Sequence, residues 1–302
     1  MSTRALKSLK QRTPLVVIGT LVVWLQTLTP NVRAAEQCGP SFGNNRSGSI
    51  QFTVYHGLIY RGMPDLEKLG ISRVRIIDRG VLTNDSAEPQ VDPARVEALL
   101  ASVPKDQTPL VLDFEQFHTT GSAATVNRSV RKLNEIAAAF RHALPGRRIG
   151  HYGAIPIRDY WRAIKLDRSN AGFRAWQEEN NQLAGLEQQV DLLFPSLYTF
   201  YDDREGWQRY AIAQICEARR ISNKPVIAFL WPEYHDSNQR VRDRFLPGDY
   251  WQLQLETAYR YADGVVIWGG YDLQNRRPRD WDDNAEWWKR TKMFLQDPPM
   301  RK

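Results

Sequence analysis

The chain has 302 residues, of which 42% are hydrophobic and 25% are charged, and its formal net charge is +7. It is long enough to bury a full hydrophobic core, and its two cysteines are too few for a mini-domain held together by disulfides. Composition therefore excludes the small disulfide-stapled class.

The first 34 residues have the order of a secretory signal peptide. Four basic residues precede an apolar run at 15–25, and Val32-Arg33-Ala34 follows with small or aliphatic side chains where a signal peptidase reads. The run is short for a membrane span, and an uncleaved anchor is the alternative. We expect residues 1–34 to be removed and the mature protein to be secreted or periplasmic, with no stable membrane association.

Removal of the leader changes the charge balance. Residues 1–34 hold five basic side chains and no acidic one, so the net charge falls by five, from +7 to +2. No basic stripe with interleaved aromatic residues is then left. We therefore expect no nucleic-acid partner.

The two cysteines, Cys38 and Cys216, would meet an oxidising environment after export. A bridge between them would pin the N-terminal segment to the body of the domain. The alternative is a small buried Cys216 on a helix and an unrelated Cys38.

Residues 35–50, which include a stretch rich in Gly, Asn and Ser, are predicted to form a linker, and residues 51–302 a single domain. Within that domain short apolar runs alternate with helical segments, which indicates parallel strands joined by right-handed crossovers. At this length a closed α/β barrel of the TIM-like (β/α) type is favoured over an open sheet. Seven strands are predicted, at residues 51–55, 74–78, 110–115, 148–152, 190–198, 225–231 and 264–268.

Helix signals separate the predicted strands. Asp92-Pro93 places a capping Asp before a Pro at the first helical position. Further along, apolar residues recur every three or four positions, as one buried helix face requires. They are Val126, Val130, Leu133, Ile136 and Phe140, then Trp207, Tyr210, Ile215 and Ala218, then Trp251, Leu255 and Ala258.

The third predicted strand ends in Asp113-Phe114-Glu115. Strand side chains alternate between faces, so both carboxylates leave the same face, which in a barrel is the lumen at the mouth where such folds place their chemistry. Two charges about 5 Å apart raise one pKa by about two units at an effective dielectric of about 20. A carboxylic acid held protonated in this way is what glycoside cleavage needs. The alternative is a strand end whose acids cap a helix or pair with an Arg.

Polar and aromatic residues follow the other predicted strands as well. Because sugar rings stack on aromatic faces and bond at their edges, this grouping favours a glycan site. The residues that follow the strands include Tyr55, His56, Asp78, His151, Tyr152, Tyr198, Trp231, Glu233, His235, Trp268 and Asp272.

Four segments together resemble the hyaluronidase family of glycoside hydrolases: Leu112-Asp113-Phe114-Glu115, Tyr152-Gly153, Phe194-Pro195-Ser196-Leu197-Tyr198, and Gly264-Val265-Val266-Ile267-Trp268-Gly269. The resemblance implies a distorted barrel of seven strands. It implies Glu115 as general acid and base, Asp113 and Tyr198 as partners of the substrate acetamido group, and Trp268 as a wall of the subsite. Tyr160 is a weaker match to a second active-site Tyr of the family.

The sequence also departs from that family. Phe114 replaces the Trp between the two acids, the several disulfides are absent, and the basic groove expected for hyaluronan is not evident. Muramidase-type barrels likewise combine a D-x-E strand with an I-x-x-Y segment, which Ile149-Gly150-His151-Tyr152 resembles. Both families act on polymers of N-acetylated hexosamines.

Other chemistries lack their motifs. The five histidines form neither an H-x-H nor an H-E-x-x-H pair, and there is no G-x-S-x-G elbow and no G-x-G-x-x-G after the first strand. We expect no metal and no cofactor.

The sequence thus predicts a glycoside hydrolase that cleaves an N-acetylhexosamine polysaccharide by substrate-assisted retention, with Glu115 as acid and base and Asp113 beside it. Tyr55, Tyr152, Tyr160, Tyr198, Glu233, Trp268 and Asp272 are the predicted substrate-binding residues. One alternative gives Glu233 the role of base or nucleophile. Others are a muramidase-like cell-wall hydrolase and a non-catalytic glycan-binding barrel.

Overall fold

The structure is a computed structural model that describes residues 51–82, 90–103, 106–272 and 274–299. The predicted signal peptide, the linker and Cys38 lie outside the described residues. Cys216 is disulfide-bonded. In the described part of the chain, no helix is long and apolar enough to cross a bilayer.

Seven parallel strands of the described chain form the central layer, and their positions agree with six of the predicted strands. They are β1 (Thr53–Leu58), β2 (Ser72–Arg73), β3 (Arg75–Ile77), β4 (Leu110–Leu112), β5 (Ile149–His151), β6 (Ile227–Leu230) and β7 (Gly264–Gly269). They form two hydrogen-bonded sheets, with the orders β2-β1-β7-β6 and β3-β4-β5. Only Val74 separates β2 from β3, so these two strands form one continuous segment that pairs with β1 on one side and β4 on the other.

The predicted strand at residues 190–198 is irregular. Single parallel bridges from Phe194 to Tyr152 and from Ser196 to Phe229 place it between β5 and β6, but it has no continuous ladder. Pro195 has no N–H to donate, which removes one ladder bond from the middle of the segment. The architecture is therefore a distorted (β/α) barrel, within the α/β class that the sequence predicts. Residues 190–198 take the place of one barrel strand, and we call this segment the irregular stave.

Seven α-helices of the described chain pack outside the strands, and the predicted caps and faces lie where expected. The Asp92 side chain accepts hydrogen bonds from the N–H groups of Ala94 and Arg95 at the start of the first helix. The helices are α1 (Pro93–Ser102), α2 (Ala123–Ala143), α3 (Tyr160–Ala163), α4 (Ala171–Asn181), α5 (Arg204–Ile221), α6 (Gly248–Tyr261) and α7 (Glu286–Gln296). A two-stranded hairpin follows β7, with β8 at Tyr271–Asp272 and β9 at Arg277–Pro278.

Two apolar clusters result from the alternation of side chains along the strands. The larger one fills the space between strands and helices and includes Leu110, Leu112 and Phe114. The smaller one fills the lumen and includes Val111 and Phe229. Successive residues of β4 therefore point alternately into the two clusters, as in any strand that is buried on both faces.

Gly150 in β5 lets the irregular stave approach closely. A Cβ at this position would overlap the carbonyl oxygen of Leu192 and lie 2.7 Å from the ring of Phe194. The obstructing atom on one side is backbone, which cannot swing away. The absence of a side chain at Gly150 therefore sets the position of the stave that leads to Tyr198.

We predict that Gly150→Ala lowers the free energy of unfolding by about 3 kcal/mol, because overpacking against backbone is not relieved by a rotamer change. Gly185→Ala is the control, since its Cβ would meet only Val130 at 3.8 Å. We expect that control to change stability by less than about 0.5 kcal/mol. Urea denaturation of both variants measures the difference, and equal midpoints would contradict the proposed steric role.

Candidate active site

The alternation of side chains along β4 continues past Leu112, where the strand ends. Val111 belongs to the lumen cluster, and Asp113 and Glu115 line a cleft above it. Phe114, between the two acids, is 3% exposed and packs in the outer cluster. The N–H of Asp113 donates to the carbonyl of Ile77 at 2.7 Å, which extends the pairing with β3. Both carboxylates therefore line the same cleft.

The cleft has a volume of about 350 Å³ and lies at the carboxyl ends of the strands. Aromatic rings form its walls: Tyr198 and Trp268 stack with centroids 5.7 Å apart, and Trp231 meets Trp268 edge to face at 4.9 Å. Its lining consists of Ile76, Val111, Asp113, Glu115, Tyr152, Arg158, Tyr198, Phe229, Trp231, His235, Asp236 and Trp268. Two carboxylates thus face an aromatic chamber.

Asp113 holds a proton more tightly than an ordinary aspartic acid. Burial, followed by the neighbouring charges of Glu115 and Asp78, raises the pKa of Asp113 to about 6, while Arg158 opposes the rise. The Glu115 side chain is 57% exposed on the rim of the cleft. The two carboxyls therefore occupy different environments, one on the floor and one at the edge.

Arg158 is the cationic partner of the pair. Its Nη2 lies 3.3 Å from Oε1 of Glu115. Arg158 comes from the loop between β5 and α3, where no motif or periodicity marks it in the sequence. Only the folded loop shows that this guanidinium reaches the carboxylate at the end of β4.

The two cleft tyrosines are both buried and protonated. Tyr152 Oη lies 3.0 Å from the hydroxyl of Ser196, and burial raises the pKa of Tyr152 to about 12. Burial and the nearby Tyr152, and then both carboxylates, raise the pKa of Tyr198 further above its usual value. Both hydroxyls are therefore hydrogen-bond donors over the range in which proteins work.

Four predicted site residues are not brought to this cleft. Tyr55 lies inside the barrel, but Arg148, which directly precedes β5, donates to its hydroxyl at 3.0 Å, so it points to the opposite end of the strands. The Tyr160 hydroxyl donates to Asp203 at 3.0 Å, beside the start of α5. Tyr160 therefore holds loops together outside the lumen.

Glu233 and Asp272 also lie apart from the cleft. The Glu233 side chain is 2% exposed and its Oε2 lies 3.2 Å from Nη2 of Arg279. Asp272 accepts from Asn275 Nδ2 at 2.8 Å in the hairpin after β7. Glu115 also follows its strand by three positions and does line the cleft, so distance from the strand end does not decide which residues reach it. The path of each loop decides this instead.

Three further cleft residues follow β6. Trp231, His235 and Asp236 line the same cleft as Glu115, although only the first two fell at a predicted strand end. The His235 ring lies 4.5 Å from that of Phe200, and burial lowers the pKa of His235 while Asp236 opposes this change. Among the described residues no group of three or more potential ligands is arranged to hold a metal ion.

No family model matches the chain, and no curated protein matches it by sequence. Among solved structures, bee venom hyaluronidase superposes with a TM-score of 0.57 at 16% identity, over 82% of this chain and 97% of that one. The same bee protein in complex with a hyaluronic acid tetramer gives 0.54 at 16% identity, over 82% and 95%. An endo-1,4-β-D-mannanase from Thermotoga petrophila gives 0.46 at 11%, over 82% and 99%. The chain therefore has a glycoside hydrolase-like fold.

We predict that stability falls as pH rises through the range set by Asp113. The pKa of Asp113 is about 6 in the folded protein, against an ordinary value of 3.8. Between these two pH values the folded state still binds a proton that the unfolded chain has released. This contribution is complete below pH 3.8 and lost above about pH 6. The free energy of unfolding should therefore fall by on the order of 2 kcal/mol from pH 4 to pH 7, and Asp113→Asn should abolish this fall. Chemical denaturation of both proteins at the two pH values measures it.

Glu115→Gln is the companion variant. Because the charge of Glu115 raises the pKa of Asp113, we expect its removal to move the Asp113 titration to lower pH in a carboxyl NMR experiment. An unchanged titration would mean that the two groups do not interact.

Proposed function

We propose that this protein is a glycoside hydrolase that cleaves a polysaccharide containing N-acetylhexosamine. The observation that carries the proposal is the Asp113 and Glu115 pair at a strand end, facing a chamber walled by Tyr198, Trp231 and Trp268. The glycoside hydrolase-like fold supports it, as does a hyaluronic acid tetramer bound to bee venom hyaluronidase, a protein of similar fold.

Glu115 is the general acid and base in this proposal. It gives its proton to the glycosidic oxygen as the bond from that oxygen to the anomeric carbon breaks, while the acetamido oxygen of the same sugar attacks that carbon. Glu115 then takes a proton from water, and the resulting hydroxide opens the cyclised intermediate. Two displacements at one carbon give net retention.

Asp113 and Tyr198 are assigned to the acetamido group. Asp113 lies on the floor of the cleft, where a carboxyl would accept the acetamido N–H and hold the group against the anomeric carbon. Tyr198 would donate to the acetamido oxygen, and Trp268 would cover the sugar face. Burial raises the pKa of Tyr198, so its hydroxyl stays a donor. Asp113 has a pKa of about 6, so it is the carboxylate acceptor above that pH.

The placement of Glu233 bears on the choice of mechanism. A nucleophile or base must reach the reacting carbon, and the Glu233 carboxylate is buried against Arg279 outside the cleft. Direct displacement by Glu233 therefore has less support than substrate assistance. A muramidase-like specificity shares Glu115 and differs in substrate alone.

We predict that Glu115→Gln lowers kcat by about 10² to 10⁴-fold and changes ligand affinity by only a few-fold, because the amide keeps the shape but carries no transferable proton. Glu97→Gln on the exposed surface of α1 is the control and should retain full activity. Chitin, peptidoglycan and hyaluronan fragments are the substrates, with release of reducing ends as the assay. Glycan binding by wild type without turnover of any polymer would indicate a binding protein instead.

Substrate assistance predicts strong inhibition by a thiazoline mimic of the cyclised intermediate, which has the ring and charge that the site is proposed to stabilise. Tyr198→Phe should weaken that inhibitor more than it weakens a plain disaccharide, because its hydrogen bond strengthens toward the developing charge. Inhibition constants for both ligands measure the difference. Equal losses, or full activity on a deacetylated polymer, would favour a direct displacement.

A further inference from the structure

A second cavity, of about 570 Å³, lies beside the cleft and shares no lining residue with it. It is bordered by Tyr60 after β1, by Asp272 and Arg279 of the hairpin after β7, and by Phe245 before α6. The substrate-assisted mechanism uses none of these residues. Of the residues that line it, only Asp272 is among those that the sequence predicts to bind substrate.

The cavity and the cleft flank the same stretch of backbone. Trp231, in the cleft wall, is followed by residues 232–234, which pair with residues 244–246. Tyr234 N–H donates to the carbonyl of Arg244 at 3.0 Å, and Leu246 N–H donates to that of Pro232 at 2.9 Å. Phe245 and Leu246 line the second cavity. Both spaces therefore open at the carboxyl ends of the barrel strands, one on each side of this pair of segments.

Tyr60 supplies a polar group without a protein partner. Its side chain belongs to a residue that is only 8% exposed, and its hydroxyl has no hydrogen bond within the described chain. Nε of Arg279, another lining residue, is likewise buried and without a hydrogen bond within the described chain. Buried polar atoms are normally satisfied, so two such atoms on the lining of one cavity indicate a place for a ligand rich in hydroxyl groups.

Aromatic surface lies next to these polar atoms. The Phe245 side chain is 41% exposed, and the guanidinium carbon of Arg279 lies 6.0 Å from its ring centroid. Tyr60 stacks on Trp287 with centroids 6.0 Å apart. An exposed ring beside hydrogen-bonding groups suits the apolar face and polar edge of a sugar.

The charges of the cavity are compensated. Arg61 lies 2.8 Å from Asp280, and Arg279 lies 3.2 Å from Glu233. The full lining holds three arginines and four carboxylates. A polyanion would meet as much repulsion as attraction here, whereas an uncharged ligand would find donors and acceptors side by side.

We propose that this cavity is a second carbohydrate subsite, which binds an uncharged sugar unit of the same polymer at a distance from the bond that is cleaved. This inference rests on the proposed function for the identity of the polymer. It makes Phe245 the stacking surface and Tyr60 the hydrogen-bonding group. It also implies that affinity increases with chain length, because only a long oligomer reaches both spaces.

The test uses the Glu115→Gln protein and measures binding of N-acetylglucosamine oligomers of two and six units by calorimetry. We expect the hexamer to bind at least about tenfold more tightly than the dimer, since a second site adds contacts to the first. Phe245→Ala should weaken binding of the hexamer by about tenfold, the value of one aromatic contact. Tyr60→Phe should weaken it by about threefold to tenfold, the value of one hydrogen bond. Dimer affinity should stay unchanged in both variants.

Two controls separate binding from folding. Leu69→Ala removes a side chain that is 46% exposed, comparable to Phe245, before the amino end of β2, and it should keep the full length effect. Tyr60→Phe deletes only an unpartnered buried hydroxyl, so its melting temperature should equal or exceed that of the parent protein. A purely structural Tyr60 would show a lower melting temperature with an unchanged length effect.

Each remaining outcome has a definite meaning. A length effect that survives Phe245→Ala and Tyr60→Phe, or the absence of a length effect, would overturn the second subsite. Tighter binding of a hyaluronan hexamer than of the N-acetylglucosamine hexamer would overturn the uncharged specificity, and no binding of either would overturn the inference altogether. Failure of the proposed hydrolysis would appear separately, as wild-type protein that shows the length effect in binding but cleaves no polymer.

Discussion

The close pairing of Asp113 with Glu115 is the interaction on which the cleft depends. The two carboxyls share a face because Phe114, between them, is anchored in the core behind the strand. Burial of Asp113, followed by the charge of Glu115, raises its pKa, and the neighbouring Arg158 offsets part of that rise. A buried carboxyl that is this costly is typical of a functional site, because folding alone would favour an apolar residue there.

The rest of the barrel holds this pair in place. The lumen below is filled by apolar and aromatic side chains, so the acids have no room to withdraw from the mouth. Gly150 lets the irregular stave approach β5, and that stave carries Tyr198 to the stacked position on Trp268. Packing on both sides of the strands thus positions the polar groups, in accord with the need of a catalytic site for a rigid support.

The second cavity gives the same mouth a larger binding surface. The residues after β6 serve two spaces, because Trp231 turns toward the cleft while Glu233 turns toward Arg279 and Tyr60. Glu233 therefore does not lie beside the reacting sugar, where the sequence predicted it. Its carboxylate lies 3.2 Å from Arg279, which lines the second cavity. The proposed subsite would explain why costly buried polar groups are grouped at a position that the reaction itself does not use.

Features that depend on neighbours along the chain could be predicted from the sequence. The alternation at β4, the Asp92 cap and the helix faces follow from local periods, so the barrel class and the shared face of Asp113 and Glu115 were predictable. Tertiary structure alone decided the pairing of Arg158 with Glu115 and the withdrawal of Tyr160 and Glu233 from the cleft. These contacts join loops far apart in sequence, and their geometry depends on packing that no local pattern records.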